Sequence, residues 1–181
     1  MILLGLSRAG KTTVGQRLAE RLGCSFYDTD ELIRIRTGLT PRELCRQAGL
    51  STLHTAEVAA LRECCGLAIV PSRPFSAVIA AGGGICDNSE ASAVIAAIPL
   101  RVFLYAEEAV LFERLTHDAQ RIGYYPAFLR FLPVTRQAEA QRLFSELYLR
   151  RTERYRRSCN LIIDTSGLDC PAIVQKIAEQ R

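Results

Sequence analysis

Residues 5–12 read Gly5-Leu6-Ser7-Arg8-Ala9-Gly10-Lys11-Thr12. Both glycines, the lysine and the threonine occupy the fixed positions of G-x-x-x-x-G-K-[ST], the pattern of a loop that cradles phosphate groups. The apolar run Met1-Ile2-Leu3-Leu4 precedes the motif, and Val14, Leu18, Ala19 and Leu22 follow it at helical spacing. The motif therefore joins a strand to a helix, the context a phosphate loop requires. Gly5 and Gly10 permit tight turns and close backbone approach. Successive amide N–H groups then point inward, and the helix adds its positive end. Lys11 is placed to reach the outer phosphates, and the Thr12 hydroxyl to ligate Mg²⁺. Of 23 lysines and arginines only Lys11 and Lys176 are lysine. An arginine-rich chain thus keeps a compact point charge where a phosphate favours one.

Strands and helices alternate through the rest of the chain. Short apolar runs at 2–4, 25–27, 77–81, 102–105 and 161–163 read as strands buried on both faces. Helical periodicity covers 11–22, 30–37, 41–48, 53–66, 89–97, 107–115, 136–157 and 171–179. Thr40-Pro41-Arg42-Glu43 combines a capping box with proline at the first helical position, and Asp169 is placed to cap the last helix. Such alternation predicts a parallel sheet with helices on both faces. Residues 116–133, with Gly123, Tyr124, Tyr125, Pro126 and Pro133, show no clear period. A connection of that length is a candidate lid.

At 181 residues the chain is expected to form one domain. No apolar run approaches the length of a membrane span, and residues 1–6 lack the basic leader of a signal peptide. The seven cysteines contain no C-x-x-C pair and read as reduced, mostly buried cytosolic thiols. The net charge of +4 is concentrated between Arg136 and Arg157, where Glu139, Glu146 and Glu153 interleave. That pattern predicts a solvated helix face with a few inward arginines and argues against a nucleic-acid partner.

Two further stretches carry chemistry. Phe26-Tyr27-Asp28-Thr29-Asp30 sets two carboxylates just past the second strand, at the sheet's carboxyl end where ligands bind. One is suited to holding Mg²⁺ and the other to facing an acceptor hydroxyl, although either also suits a helix cap. Ala80-Ala81-Gly82-Gly83-Gly84 runs a strand into three glycines, more than a turn needs, and implies a ligand close to the backbone. Arg151 lies late in a long helix, placed either to grip a carboxylate in a fork or to pair at the surface with Glu146 or Glu153.

The ordered set Gly-x-x-x-x-Gly-Lys-Thr, Phe26-Tyr27-Asp28-Thr29-Asp30, Glu57, Gly82-Gly83-Gly84, Arg151-x-x-x-Tyr155 and Ile162-Ile163-Asp164-Thr165 resembles the shikimate kinase family. The resemblance implies a three-layer α/β P-loop kinase fold with a five-stranded parallel sheet in the order 2-3-1-4-5. It also implies a helical substrate-binding region at about 28–66 and a lid at about 116–134. The implied activity is ATP-dependent phosphorylation of the shikimate 3-hydroxyl by a monomeric cytoplasmic enzyme. Carried over by position, Lys11 and Asp30 would be catalytic. Ser7, Arg8, Ala9, Gly10, Lys11, Thr12 and Thr13 would bind ATP, and Thr12 and Asp28 would hold Mg²⁺. Asp30, Gly82, Gly83, Gly84 and Arg151 would bind the substrate.

The chain departs from the family pattern at its arginines. Where the family has Phe-Arg before Glu57, with the arginine on the shikimate carboxylate, this chain has Leu53-His54. His54 is therefore the expected substrate contact. Where the lid usually reads Arg-Pro-Leu-Leu, it reads Tyr125-Pro126-Ala127-Phe128, leaving Arg121 as the candidate ATP contact. A family arginine over adenine falls near His117, and Ser166-Gly167-Leu168 lacks the usual arginine of the adenine loop. These departures keep two alternatives open: a kinase of another small polyol or hydroxy acid, and a nucleotide-binding protein with little catalysis. Retention of Lys11, Thr12, Asp28 and Asp30 argues against the second.

Overall fold

The computed structural model describes residues 1–67 and 77–180. Five strands, β1 (Ile2–Leu4), β2 (Ser25–Asp28), β3 (Ala77–Ala80), β4 (Arg101–Tyr105) and β5 (Leu161–Asp164), form one parallel sheet in the order β2-β3-β1-β4-β5. Helices α1 (Lys11–Leu22), α2 (Thr29–Thr37), α3 (Pro41–Leu67), α4 (Ser89–Ala96), α5 (Glu108–Ile122), α6 (Gln137–Ser158) and α7 (Cys170–Ala178) complete the fold. The central strands are apolar throughout because helices cover both faces: Ile2, Leu3, Leu4, Val102, Phe103 and Leu104 are all fully buried. Tyr155 of α6 stacks on Phe103 with ring centroids 5.3 Å apart. Truncating one of these central leucines to alanine costs about 2–5 kcal/mol.

Strand register brings the functional segments together. Ile2 pairs with Ile79 and Leu3 with Ala80, while Asp28 also pairs with Ala80. The carboxyl ends of β1, β2 and β3 thus lie side by side. The phosphate loop, the two carboxylates and the glycine run emerge from the same carboxyl end of the sheet.

Caps set the helix starts. Asp28 accepts from the amides of Asp30 and Glu31, starting α2. Glu43 Oε2 accepts from the Thr40 amide at 2.8 Å and Thr40 Oγ1 from the Glu43 amide at 3.3 Å, completing the predicted capping box. Asp169 caps α7 through the Ala172 amide. The α3 segment is broken at Gly49 (φ 87, ψ 170), which matches the two separate helical periods of the sequence.

Three expectations are corrected. Residues 116–133 are not one aperiodic loop, since α5 runs on to Ile122. Its buried positions Leu111, Phe112, Leu115, Thr116 and Ala119 keep helical spacing, but the polar Thr116 masked the stripe. The glycine run leaves room for protein atoms rather than for ligand alone, as described below. Only Cys64 of the seven free cysteines is buried, the other six being half-exposed.

The basic stretch behaves as its pattern predicts. Arg142 and Arg157 pair along the exposed face of α6 with Glu146 and Glu153, while Arg151 turns inward. Among the described residues, no helix is long and apolar enough to cross a membrane.

Candidate active site

The phosphate loop needs unusual backbone at two glycines. Gly5 (φ 148) passes so close to β4 that a Cβ there would fall 2.8 Å from the Leu104 carbonyl oxygen. Gly10 (φ 89) is left-handed and carries no capping side chain. The first amides of α1 are therefore left without a side-chain acceptor and suit an anion. Between the glycines, Arg8 holds a positive φ of 69°, uncommon for a residue with a Cβ. It is braced from α5, where Arg114 donates to the Arg8 carbonyl at 2.8 Å and Asp118 pairs with its guanidinium.

Lys11 is buried and folds back to donate to the carbonyls of Gly5 and Leu6, both at 2.9 Å. Burial pulls its pKa down to about 8, against the opposing pull of Asp30 and Asp28. Thr12 donates to Asp28 Oδ2 at 2.7 Å, while Asp28 Oδ1 accepts the α2 amides. Asp28 is thus both cap and partner of the loop threonine. A hydroxyl and a carboxylate at one point form a hard oxygen pair suited to Mg²⁺, which takes few protein ligands and completes its shell with water and phosphate. Among the described residues, no cluster of histidine, cysteine and carboxylate side chains forms a self-sufficient metal cage.

Asp30 opens to the cleft but is crowded on its other sides. That desolvation, reinforced by Asp28 and opposed by Lys11, raises its pKa to about 6. It sits against Gly82, where a Cβ would lie 2.6 Å from Asp30 Oδ1. A Cβ on Gly83 would lie 2.4 Å from Ser7 Oγ, and one on Gly84 3.0 Å from Arg151 Nη2. Each glycine therefore admits a different protein group to the site. The Gly82 amide already donates to Thr29 Oγ1 at 2.9 Å.

Arg151 is buried and paired with Asp87, through Nε at 2.9 Å and Nη2 at 2.8 Å. Neither Glu146 nor Glu153 is its partner. Its Nη1 also donates to the Gly83 carbonyl at 3.2 Å, and its guanidinium lies 5.2 Å from the Phe128 ring centroid. Five N–H bonds with three engaged leave two for a ligand. Burial penalises the Asp87 charge, but Arg151, Arg150 and Arg154 outweigh it and hold the carboxyl below its usual range.

One cavity of about 490 Å³ is lined by the phosphate loop, Asp28, Asp30 and Gly83, together with Arg42, Pro126 and Phe128. Sequence reading missed three participants: Arg42, Asp87 and Phe128. Asp87 follows the glycine run within the Ile85–Asp87 turn, so its nearness to Gly84 was a usable signal. Arg42 and Phe128 had no local signature. The predicted Arg121 and His54 do not line this cavity. Arg121 is exposed at the end of α5, and His117 is exposed one turn earlier. His54 is half-buried, and its carbonyl accepts from Asn88, which also donates to the buried Glu57 at 3.1 Å.

A shikimate kinase family model matches residues 8–181. The chain belongs to the shikimate kinase family. Shikimate kinases from Syntrophus aciditrophicus and Chromobacterium violaceum are 32% and 30% identical to it. Both matches cover 98% of this chain, and 88% and 87% of the relatives respectively. A shikimate kinase from Acinetobacter baumannii, solved in complex with shikimate, superposes with a TM-score of 0.80 at 26% identity. That match covers 99% of this chain and 90% of the other.

Membership makes the chain a phosphotransferase that uses ATP and acts on a hydroxyl group, and the 2-3-1-4-5 sheet is as expected. Tyr125 stands where the resemblance to the family leads to the expectation of a lid arginine. This residue is fully buried, donates or accepts with Thr116 Oγ1 at 3.2 Å, and stacks on Phe112. It points into the core and does not line the cavity of the phosphate loop.

Proposed function

We propose that this chain transfers the γ-phosphoryl group of ATP to the 3-hydroxyl of shikimate, with Mg²⁺ held at Thr12 and Asp28. The observation that carries the reading is the meeting of Lys11, the Thr12–Asp28 pair and Asp30 in one cavity at the carboxyl end of the sheet. Lys11 and the α1 amides bind and neutralise the phosphate oxygens. Mg²⁺ held by Thr12 and Asp28 would supply further positive charge against the phosphate oxygens. Asp30 orients the acceptor hydroxyl and takes its proton as the oxygen bonds to phosphorus. The bond from phosphorus to the bridging oxygen breaks, and ADP leaves. Arg151, with two N–H bonds to spare, and the Gly83–Gly84 backbone hold the acceptor. The same reading makes His54 the expected contact for its carboxylate, and the enzyme monomeric and cytoplasmic.

Coupled measurement of ADP release, with and without shikimate, tests this. Shikimate-dependent turnover supports it, and ATP binding without turnover overturns it. A second reading, transfer to another small polyol or hydroxy acid, is favoured by His54 and Tyr125 standing where family arginines are expected. Turnover with such acceptors but not with shikimate would establish it.

A further inference from the structure

Arg42 is the second residue of α3, pinned there by the Thr40–Glu43 capping box. It lines the cavity beside the phosphate loop and Asp30, and its guanidinium lies 5.9 Å from the Tyr124 ring centroid across the cleft. It is half-buried, yet it makes no hydrogen bond or ion pair among the described residues. The carboxylate that acts on it, Asp118, is already engaged by Arg8. Burial lowers its pKa from the ordinary arginine value, and Arg8 adds to that penalty. A desolvated cation without a counter-charge is costly unless a ligand completes the balance.

Each of the other arginines nearby already has a protein partner. Arg8 pairs with Asp118, Arg114 holds the Arg8 carbonyl, and Arg151 holds Asp87. Arg42 shares its cavity with Arg8, Lys11, Thr12 and Thr13 of the nucleotide-binding loop and with Asp30 and Gly83, where donor and acceptor meet, but not with Arg151, His54 or Gly84. Its anion therefore belongs on the phosphate side of the cleft rather than the acceptor-carboxylate side. Arginine's planar fork matches phosphate oxygens.

We propose that Arg42 donates N–H bonds to the outermost phosphate of the nucleotide. It would supply from the substrate-side helix the guanidinium that the buried Tyr125 does not. The inference rests on the reading that ATP is the phosphoryl donor.

Calorimetric titration in Mg²⁺ with a non-hydrolysable ATP analogue and with ADP tests it. Arg42→Met is expected to weaken the analogue by about 10- to 100-fold, the worth of a charge-assisted contact, and ADP by less than about 2-fold. Arg42→Lys keeps the charge and loses the fork, so it falls between native and Met. Tyr124→Leu removes only the ring beneath the guanidinium and costs the analogue about 2- to 5-fold; it carries the test should Arg42→Met fail to fold.

Equal losses for analogue and ADP, or an unchanged analogue affinity, overturn the proposal. So does a loss confined to shikimate, which would place Arg42 on the acceptor. A native protein that separates analogue from ADP through Arg42, but does not phosphorylate shikimate, overturns the proposed acceptor and leaves this assignment standing.

Discussion

The two walls of the cleft are held by different forces. The phosphate loop is held chiefly by backbone: two left-handed or extended glycines, a lysine folded onto loop carbonyls and the uncapped start of α1. The wall opposite, Gly123 to Pro133, is held by side chains that enter the core. Tyr125 and Leu129 are fully buried, and the Tyr125 amide donates to the Leu132 carbonyl at 2.8 Å. The first wall has its functional groups set within eight residues of chain. The second exposes Pro126 and Phe128 to the cavity, and the guanidinium that lies against its Tyr124 ring is that of Arg42, more than eighty residues away in sequence. A binding wall whose own residues serve the core must borrow its charge from elsewhere.

The largest test of this contrast is Lys11→Ala. With its charge gone, turnover should fall by at least about 10³-fold while the circular dichroism spectrum stays native. Near-native turnover would remove the phosphate loop from the chemistry.

Asp30→Asn comes next, with a kcat loss of about 10²- to 10⁴-fold and unchanged nucleotide affinity. Asp28→Asn should instead raise the Mg²⁺ needed for half-maximal rate by about 10-fold. Identical metal dependence and identical kcat loss in the two variants would merge their roles.

The same residues set a pH profile. Asp30 must be ionised, and its raised pKa costs activity as pH falls below about 6. Lys11 must be charged, and its lowered pKa costs activity as pH rises above about 8. A bell-shaped kcat/KM between these limits is expected for the free enzyme; a flat profile from pH 5 to 9 would contradict both assignments. Because Asp30 is more easily ionised in the unfolded chain, its charge opposes folding above pH 6. Asp30→Asn should therefore raise the melting temperature at pH 7.5.

His54→Arg is a smaller perturbation on the acceptor side. A restored charge-assisted contact to the shikimate carboxylate should lower KM for shikimate by about 10-fold. An unchanged or higher KM, with another acceptor well phosphorylated by the native protein, would favour the second reading.

Tyr125→Phe is the smallest. It removes the contact with Thr116 Oγ1, costs about 1 kcal/mol of stability, and leaves kcat within about 2-fold. A large kcat loss at unchanged stability would mean that Tyr125 acts on the nucleotide, contrary to its burial.

Elements whose signals are local were legible. Gly5 to Thr12 declared both the loop and its flanks, and the capping residues Thr40, Glu43 and Asp169 did what their spacing indicated. The carboxylate pair was legible as two residues at the cleft, with Asp28 both the cap of α2 and the partner of Thr12. The C-terminal half of α5 was hidden because Thr116 and Ala119 break a strongly apolar stripe while still facing the core. Arg151 was legible as a candidate to grip a carboxylate, with surface pairing as the alternative, but its burial and its partner Asp87 were not, because 64 residues separate the two.

The sequence by itself determined the phosphate loop, the strand–helix alternation and the family to which they point. These depend on backbone freedom, periodicity and capping, all decided within a few residues. Tertiary structure alone decided why three glycines stand in a row, which carboxylate Arg151 holds, that Tyr125 faces the core and that Arg42 lines the same cavity as the phosphate loop. Each of those depends on what a distant strand or helix places within a few ångströms, and no local pattern encodes the neighbour's position.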